Sequence, residues 1–136
     1  MDKGDIIFFA GVFIGLGYLG YLMSGTNDPA QHRYHQLLIK ETFVKHLAFC
    51  AAISIAGIYF FKIAHNNSFW FAPILILLFM KIADYISIRF NNRHPLFWTK
   101  YDDLSTKKGN WLDYTLFFCV CLMPLGLCAM MSSIWD

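Results

Sequence analysis

Residues 69–88 read FWFAPILILLFMKIADYISI. A helix needs about 20 residues to cross ~30 Å of hydrocarbon, and this stretch has that length. It does not alternate polar and apolar positions, as a barrel strand facing lipid on one side and a lumen on the other would. Backbone amides find no water inside a bilayer, so a spanning segment that is not a barrel strand must be a helix. Three other blocks have the same character: 6–23, 47–64 and 112–135. The expected fold is therefore all-α, an integral membrane four-helix bundle forming a single transmembrane domain over residues 1–136.

The composition points the same way. Of 136 residues, 57% are apolar and 15% charged, which sets the chain apart from soluble domains. A formal charge of +2, with its cations scattered between apolar blocks, argues against a nucleic-acid partner and leaves the lipid bilayer as the first one. Cys50, Cys119, Cys121 and Cys128 all lie within apolar blocks and form no C-x-x-C pair, so they read as small hydrophobes.

The connections set the orientation. Asn66, Asn67 and Ser68 leave so short a gap that the second and third helices form an antiparallel hairpin. Four crossings then place the segments 24–46 and 89–111 on one side, with Arg33, Lys40, Lys45, Arg89, Arg93, Lys100, Lys107 and Lys108. Lys3 and Lys62 fall on the other. The positive-inside rule puts both long loops in the cytoplasm and both termini outside, as in a bacterial inner membrane. Trp70 and Trp135 are expected at the outer interface, and Trp98 and Trp111 at the inner one. The first block reads as a retained helix and not as a cleaved leader, since Asp2 and Asp5 flank its lysine and no A-x-A-like site follows Met23. Pro73 belongs to the first turn of the third helix, whereas Pro124 lies mid-helix, frees a carbonyl near Val120 and predicts a kink.

Within the first loop, Asn27 or Asp28 can cap a helix beginning at Pro29, and Tyr34, Leu37, Leu38, Glu41 and Val44 have helical spacing. The expectation is an additional amphipathic cytoplasmic helix that extends the second transmembrane helix and turns Arg33, Lys40 and Lys45 toward phosphates or a protein partner. His32 and His35 lie three apart there, with no third ligand at a metal-site spacing. In the third loop, Trp98 with Lys107 and Lys108 has the makeup of an interfacial contact stretch. Asp102 and Asp103 are adjacent, point about 100° apart on a helix and make a poor acid/base pair.

Lys81 and Asp84 are charges inside a crossing, and i, i+3 spacing puts them on one helix face. Counted from Arg89 at ~1.5 Å per residue, Asp84 lies roughly 7 Å and Lys81 roughly 12 Å below the boundary. They read as a structural pair, with each other or with a loop residue, or alternatively as the lining of an ion or proton path. Gly11 and Gly15 form a GxxxG that admits a second helix closely, from this chain or from another copy.

No catalytic, cofactor-binding or metal-ligating set emerges. The first crossing lacks the acidic residue a proton-coupled exporter of this size requires, and paired reactive cysteines for thiol oxidation are missing. The sequence therefore favours a small non-enzymatic membrane protein that binds a partner protein, as an accessory subunit or a toxin or bacteriocin immunity protein. The alternative is a channel or transporter built from several copies and using Lys81 and Asp84.

Overall fold

The computed structural model describes residues 2–24, 33–63, 67–97 and 110–135. It contains four long helices, α1 (Lys3–Leu22), α2 (Lys40–Phe60), α3 (Ala72–Asn91) and α4 (Trp111–Trp135). Each is long and apolar enough to cross a membrane, α3 together with the 3-10 turn Ser68–Phe71 that leads into it.

α1 starts where Asp2 and Asp5 make a reciprocal capping box: Asp2 N–H donates to Asp5 Oδ2 at 3.0 Å, and the Asp2 carboxylate caps the first turn. Pro73 stands in the first turn of α3, where its missing N–H leaves no bond unmade. α3 ends at Asn92, which takes the left-handed conformation (φ 54°, ψ 26°) that asparagine tolerates better than most residues. α4 continues through Pro124 to Trp135.

α3 is the hub. α1, α2 and α4 each pack on it and touch one another little. Its buried positions, Ala72, Ile76, Leu77, Met80, Ala83 and Ser87, cover a broad arc. Those of the outer helices are narrow stripes at helical spacing: Gly11, Gly15, Tyr18 and Leu22 on α1, and Cys50, Ser54 and Gly57 on α2. Small side chains in the α2 stripe bring backbones close, which suits association through dispersion where lipid removes the hydrophobic driving force. The outward faces are as apolar as the core, with Phe13 72% and Ile55 67% exposed. Unbroken apolar faces of this kind are what a bilayer solvates and water does not.

One expected element differs. Residues Arg33–Leu38 form a 3-10 helix, and Ile39 breaks it from α2 with an extended backbone (φ −94°, ψ 125°). The predicted continuous extension of the second crossing is thus corrected to a separate turn. The physical reason is Tyr34 and Leu37, both fully buried. Three residues per turn aligns positions i and i+3 on one side, so the 3-10 winding sends both rings and branches into the bundle. Glu41 and Val44, placed on the same face by an α-helical reading, are exposed. The capping of a helix at Pro29 falls outside the described residues.

Candidate functional site at the basic end

The end of the bundle that joins α1 to α2 and α3 to α4 holds Arg33, Lys40, Lys45, Arg89 and Arg93, and most of the polar contacts gather there. Asp113 is its centre, fully buried although it lies within the first turn of α4. Arg93 grips it with two guanidinium nitrogens, Nη2 to Oδ2 at 2.6 Å and Nη1 to Oδ1 at 3.3 Å. Leu96 N–H donates to Oδ1 at 3.2 Å and Asn110 N–H to Oδ2 at 2.9 Å. Asn110 Oδ1 in turn accepts the Asp113 N–H at 3.1 Å, so the pair caps α4 reciprocally. Asn110 also exchanges two amide hydrogen bonds with Asn91 at 3.3 and 2.9 Å, tying the start of α4 to the end of α3.

Beside this knot, Tyr34 joins the two connections. Its hydroxyl donates to the Pro95 carbonyl at 2.8 Å and accepts the Phe97 N–H at 3.1 Å, while its ring packs on Phe97 at 4.8 Å between centroids. Replacing Tyr34 with phenylalanine keeps the ring and strands both backbone groups. The expected loss is about 1–3 kcal/mol of stability. Faster amide exchange at Phe97 is the specific signature, and unchanged protection there would show that the hydroxyl holds nothing.

The two charges within α3, Lys81 and Asp84, are arranged differently from the expected pairing with each other. Asp84 meets His94 from the following connection, Oδ1 to Nδ1 at 2.6 Å, the loop-residue version of the pair. Lys81 lies over the Phe43 ring at 4.4 Å instead, a cation–π contact between α3 and α2. Gly11 and Gly15 face the bundle at its opposite end, where a Cβ on Gly11 would lie 2.8 Å from Trp70 Cδ1 and one on Gly15 2.8 Å from Ala72 Cβ. Trp70, at the end of the bundle opposite the basic one, is 8% exposed and wedged between α1 and α2, with Nε1–H donating to the Ile7 carbonyl at 3.0 Å. Two glycines, Gly11 and Gly57, make room for its ring and its β-carbon. Arg33 stacks on Tyr21 at 4.8 Å and donates to Ser24 Oγ at 3.0 Å, while Lys40 and Lys45 are exposed. Trp98, Lys100, Asp102, Asp103, Lys107, Lys108 and His32 fall outside the described residues.

Because α1 and α2 both lean on α3 and not on each other, a cleft of about 590 Å³ opens between them at the basic end. On its wall His46 is held at both nitrogens, Nδ1 against Tyr18 Oη at 3.1 Å and Nε2 against Gln36 Oε1 at 3.2 Å. The Thr42 hydroxyl donates to the Gln36 carbonyl, and to that of Ile39 at 3.2 Å. Sequence reading missed this constellation, since nothing in the spacing links Tyr18 to His46. Asp113 left a better trace: Asn110 and Asp113 stand three apart at the head of an apolar run, a capping signature. Among the described residues no three His, Cys, Asp or Glu side chains converge as a metal-holding group. Comparison with protein-family models, curated proteins and solved structures found no match to this chain.

Proposed function

We propose that the chain is an integral membrane protein, in a bacterial inner membrane with its basic end cytoplasmic, that acts by binding a partner protein at that end. An accessory subunit of a membrane complex and an immunity protein against a membrane-active toxin are the two forms this takes. One observation supports the reading above others: three ionisable groups in and beside the apolar helices are each held by other side chains of the chain. Asp84 is held by His94, Asp113 by Arg93, and His46 by Tyr18 and Gln36. The bundle interior beyond them holds Ile76, Leu77, Met80 and Val120 together with the small polar side chains of Ser54, Ser68 and Ser87 and with Asn67. Such an arrangement builds a braced platform that presents Lys40, Lys45 and Arg89 outward.

Photo-crosslinkers placed at Lys40 and Arg89 are expected to trap a protein of one discrete mass in native membranes, and crosslinkers at Lys3 and Lys62 to trap none of it. The channel reading has a separate check. Purified protein in liposomes should pass no ions above the empty-vesicle level. Flux that vanishes in a Lys81→Leu, Asp84→Leu double variant would replace the binding reading with the channel.

A further inference from the structure

The cleft between α1 and α2 has the shape and polarity of an amphiphile. Its mouth, at the end of the helices, is formed by Tyr21 and Lys45. Its depth, reached at Gly17 and Phe49, is apolar, and the α1 wall from Ile14 to Tyr21 extends about 10 Å at ~1.5 Å per residue. A volume of about 590 Å³ lies within the range of built ligand sites. Gly17 and Phe49 are exposed laterally, so the depth opens toward whatever surrounds the bundle and is not sealed within it.

The chemistry of the walls narrows the occupant. Tyr18, His46 and Thr42 already bond one another, Gln36 or the backbone, and Gln36 is engaged through its amide oxygen, which leaves its NH2 group to donate to a ligand oxygen near the mouth. Lys45 is exposed, and no hydrogen bond or ion pair ties it to another described residue. Arg33 does not itself line the cleft, but it stacks at 4.8 Å on the ring of Tyr21, which does, and so sets a second positive charge beside that wall. A cation at the mouth and a second beside its Tyr21 wall, above an apolar slot, match a phosphate joined to an acyl chain, and neither a free anion nor a plain hydrocarbon uses both parts. We infer that this cleft is a binding site for one anionic phospholipid, its phosphate between Lys45 and Arg33 and one acyl chain lying along Gly17 and Phe49. Lys45 is shared with the basic surface proposed above for a protein partner, whereas Lys40 and Arg89 lie outside the cleft, and the lipid would fill the space that α1 and α2 leave unpacked.

Native mass spectrometry of the full chain in detergent tests it, with phosphatidylglycerol and phosphatidylcholine of identical acyl chains as the probes. The expected result is one retained phosphatidylglycerol per chain and little phosphatidylcholine. Lys45→Ala and Arg33→Ala should each weaken retention about fivefold, the equivalent of roughly 1 kcal/mol per cation near a lipid surface. A Cβ on Gly17 meets nothing within 4 Å, so Gly17→Leu fills the cleft without a clash at its base and should abolish retention. Gly20→Leu is the control, since Gly20 also faces open space but does not line the cleft. Equal retention of both lipids, or retention that survives Gly17→Leu, means annular lipid only and overturns the site. A Gly17→Leu variant that changes oligomeric mass while lipid counts stay constant assigns the cleft to a helix of a second copy, which overturns it as well. Should Gly17→Leu fail to fold, the two alanine variants decide: unaltered lipid preference in both rejects the proposal.

Discussion

Asp113→Ala is expected to destabilise the bundle by about 3–5 kcal/mol, the cost of breaking a buried ion pair by removing one partner. The Arg93 side chain is 35% exposed and its guanidinium can reach water, so the loss should lie at the lower end of that range. Arg93→Ala ought to be worse, because the charge it orphans has no exposure at all. The remaining donors to that carboxylate, the N–H groups of Leu96 and Asn110, are dipoles and do not balance a full charge. Asp113→Asn should fall between wild type and alanine: it preserves an acceptor for the cap of α4 and loses the ionic grip. Unfolding in a denaturing detergent titration reads all three, and a double-variant cycle isolates the coupling between the two side chains. If Asp113→Ala costs less than about 1 kcal/mol, the level of an exposed ion pair, then the knot is ornamental and the braced platform loses its foundation.

The same residue shows where sequence reasoning stops. The number and approximate extent of the four long apolar helices follow from hydropathy and length, the two properties that a bilayer's thickness would impose. Which face of each helix turns inward does not. In a soluble helix the apolar stripe marks the core, but here Phe13 and Ile55 point outward and are no less apolar than the buried Ile76 and Leu77. Small residues carry that information instead. Gly11 and Gly15 were readable as a close-approach surface, and the Cys50, Ser54, Gly57 stripe on α2 is the same signal without a named motif. Charges were legible as special and not as to partner. Lys81 and Asp84 have ideal i, i+3 spacing, yet Asn92 in its left-handed conformation folds the chain back and brings His94 to Asp84. Contacts of this kind depend on a reversal whose geometry no periodicity encodes. Tyr34 and Leu37 fit a helical pattern equally well at three or at 3.6 residues per turn. Only burial of both, against Phe97 and the core of α3, selects the tighter winding.

Trp70→Ala should be the most damaging single change at the opposite end, costing about 3–5 kcal/mol as a large buried aromatic is removed. The indole bonds to the Ile7 carbonyl, packs on Phe60 at 5.0 Å and occupies the space left by two glycines on two different helices. Those glycines allow a sharper test than truncation alone. Gly11→Ala would set its Cβ 2.8 Å from Trp70 Cδ1, and Gly57→Ala would set its Cβ 2.6 Å from Trp70 Cβ, so each overpacks the wedge at about 1–3 kcal/mol. The two differ in what they strike. The first meets ring atoms, which Trp70→Ala deletes, and its penalty should largely vanish in the double variant. The second meets the β-carbon, which alanine at position 70 retains, and its penalty should persist. Gly17, Gly20 and Gly126 have nothing within 4 Å of an added Cβ, so alanine at any of them should be tolerated. Rescue of both glycine variants by Trp70→Ala, or of neither, would mean that the indole does not sit between α1 and α2 in this way. Because these contacts fix how α1 and α2 each seat on the chain leading into α3, the same error would also misplace the cleft that opens between the two helices at the other end.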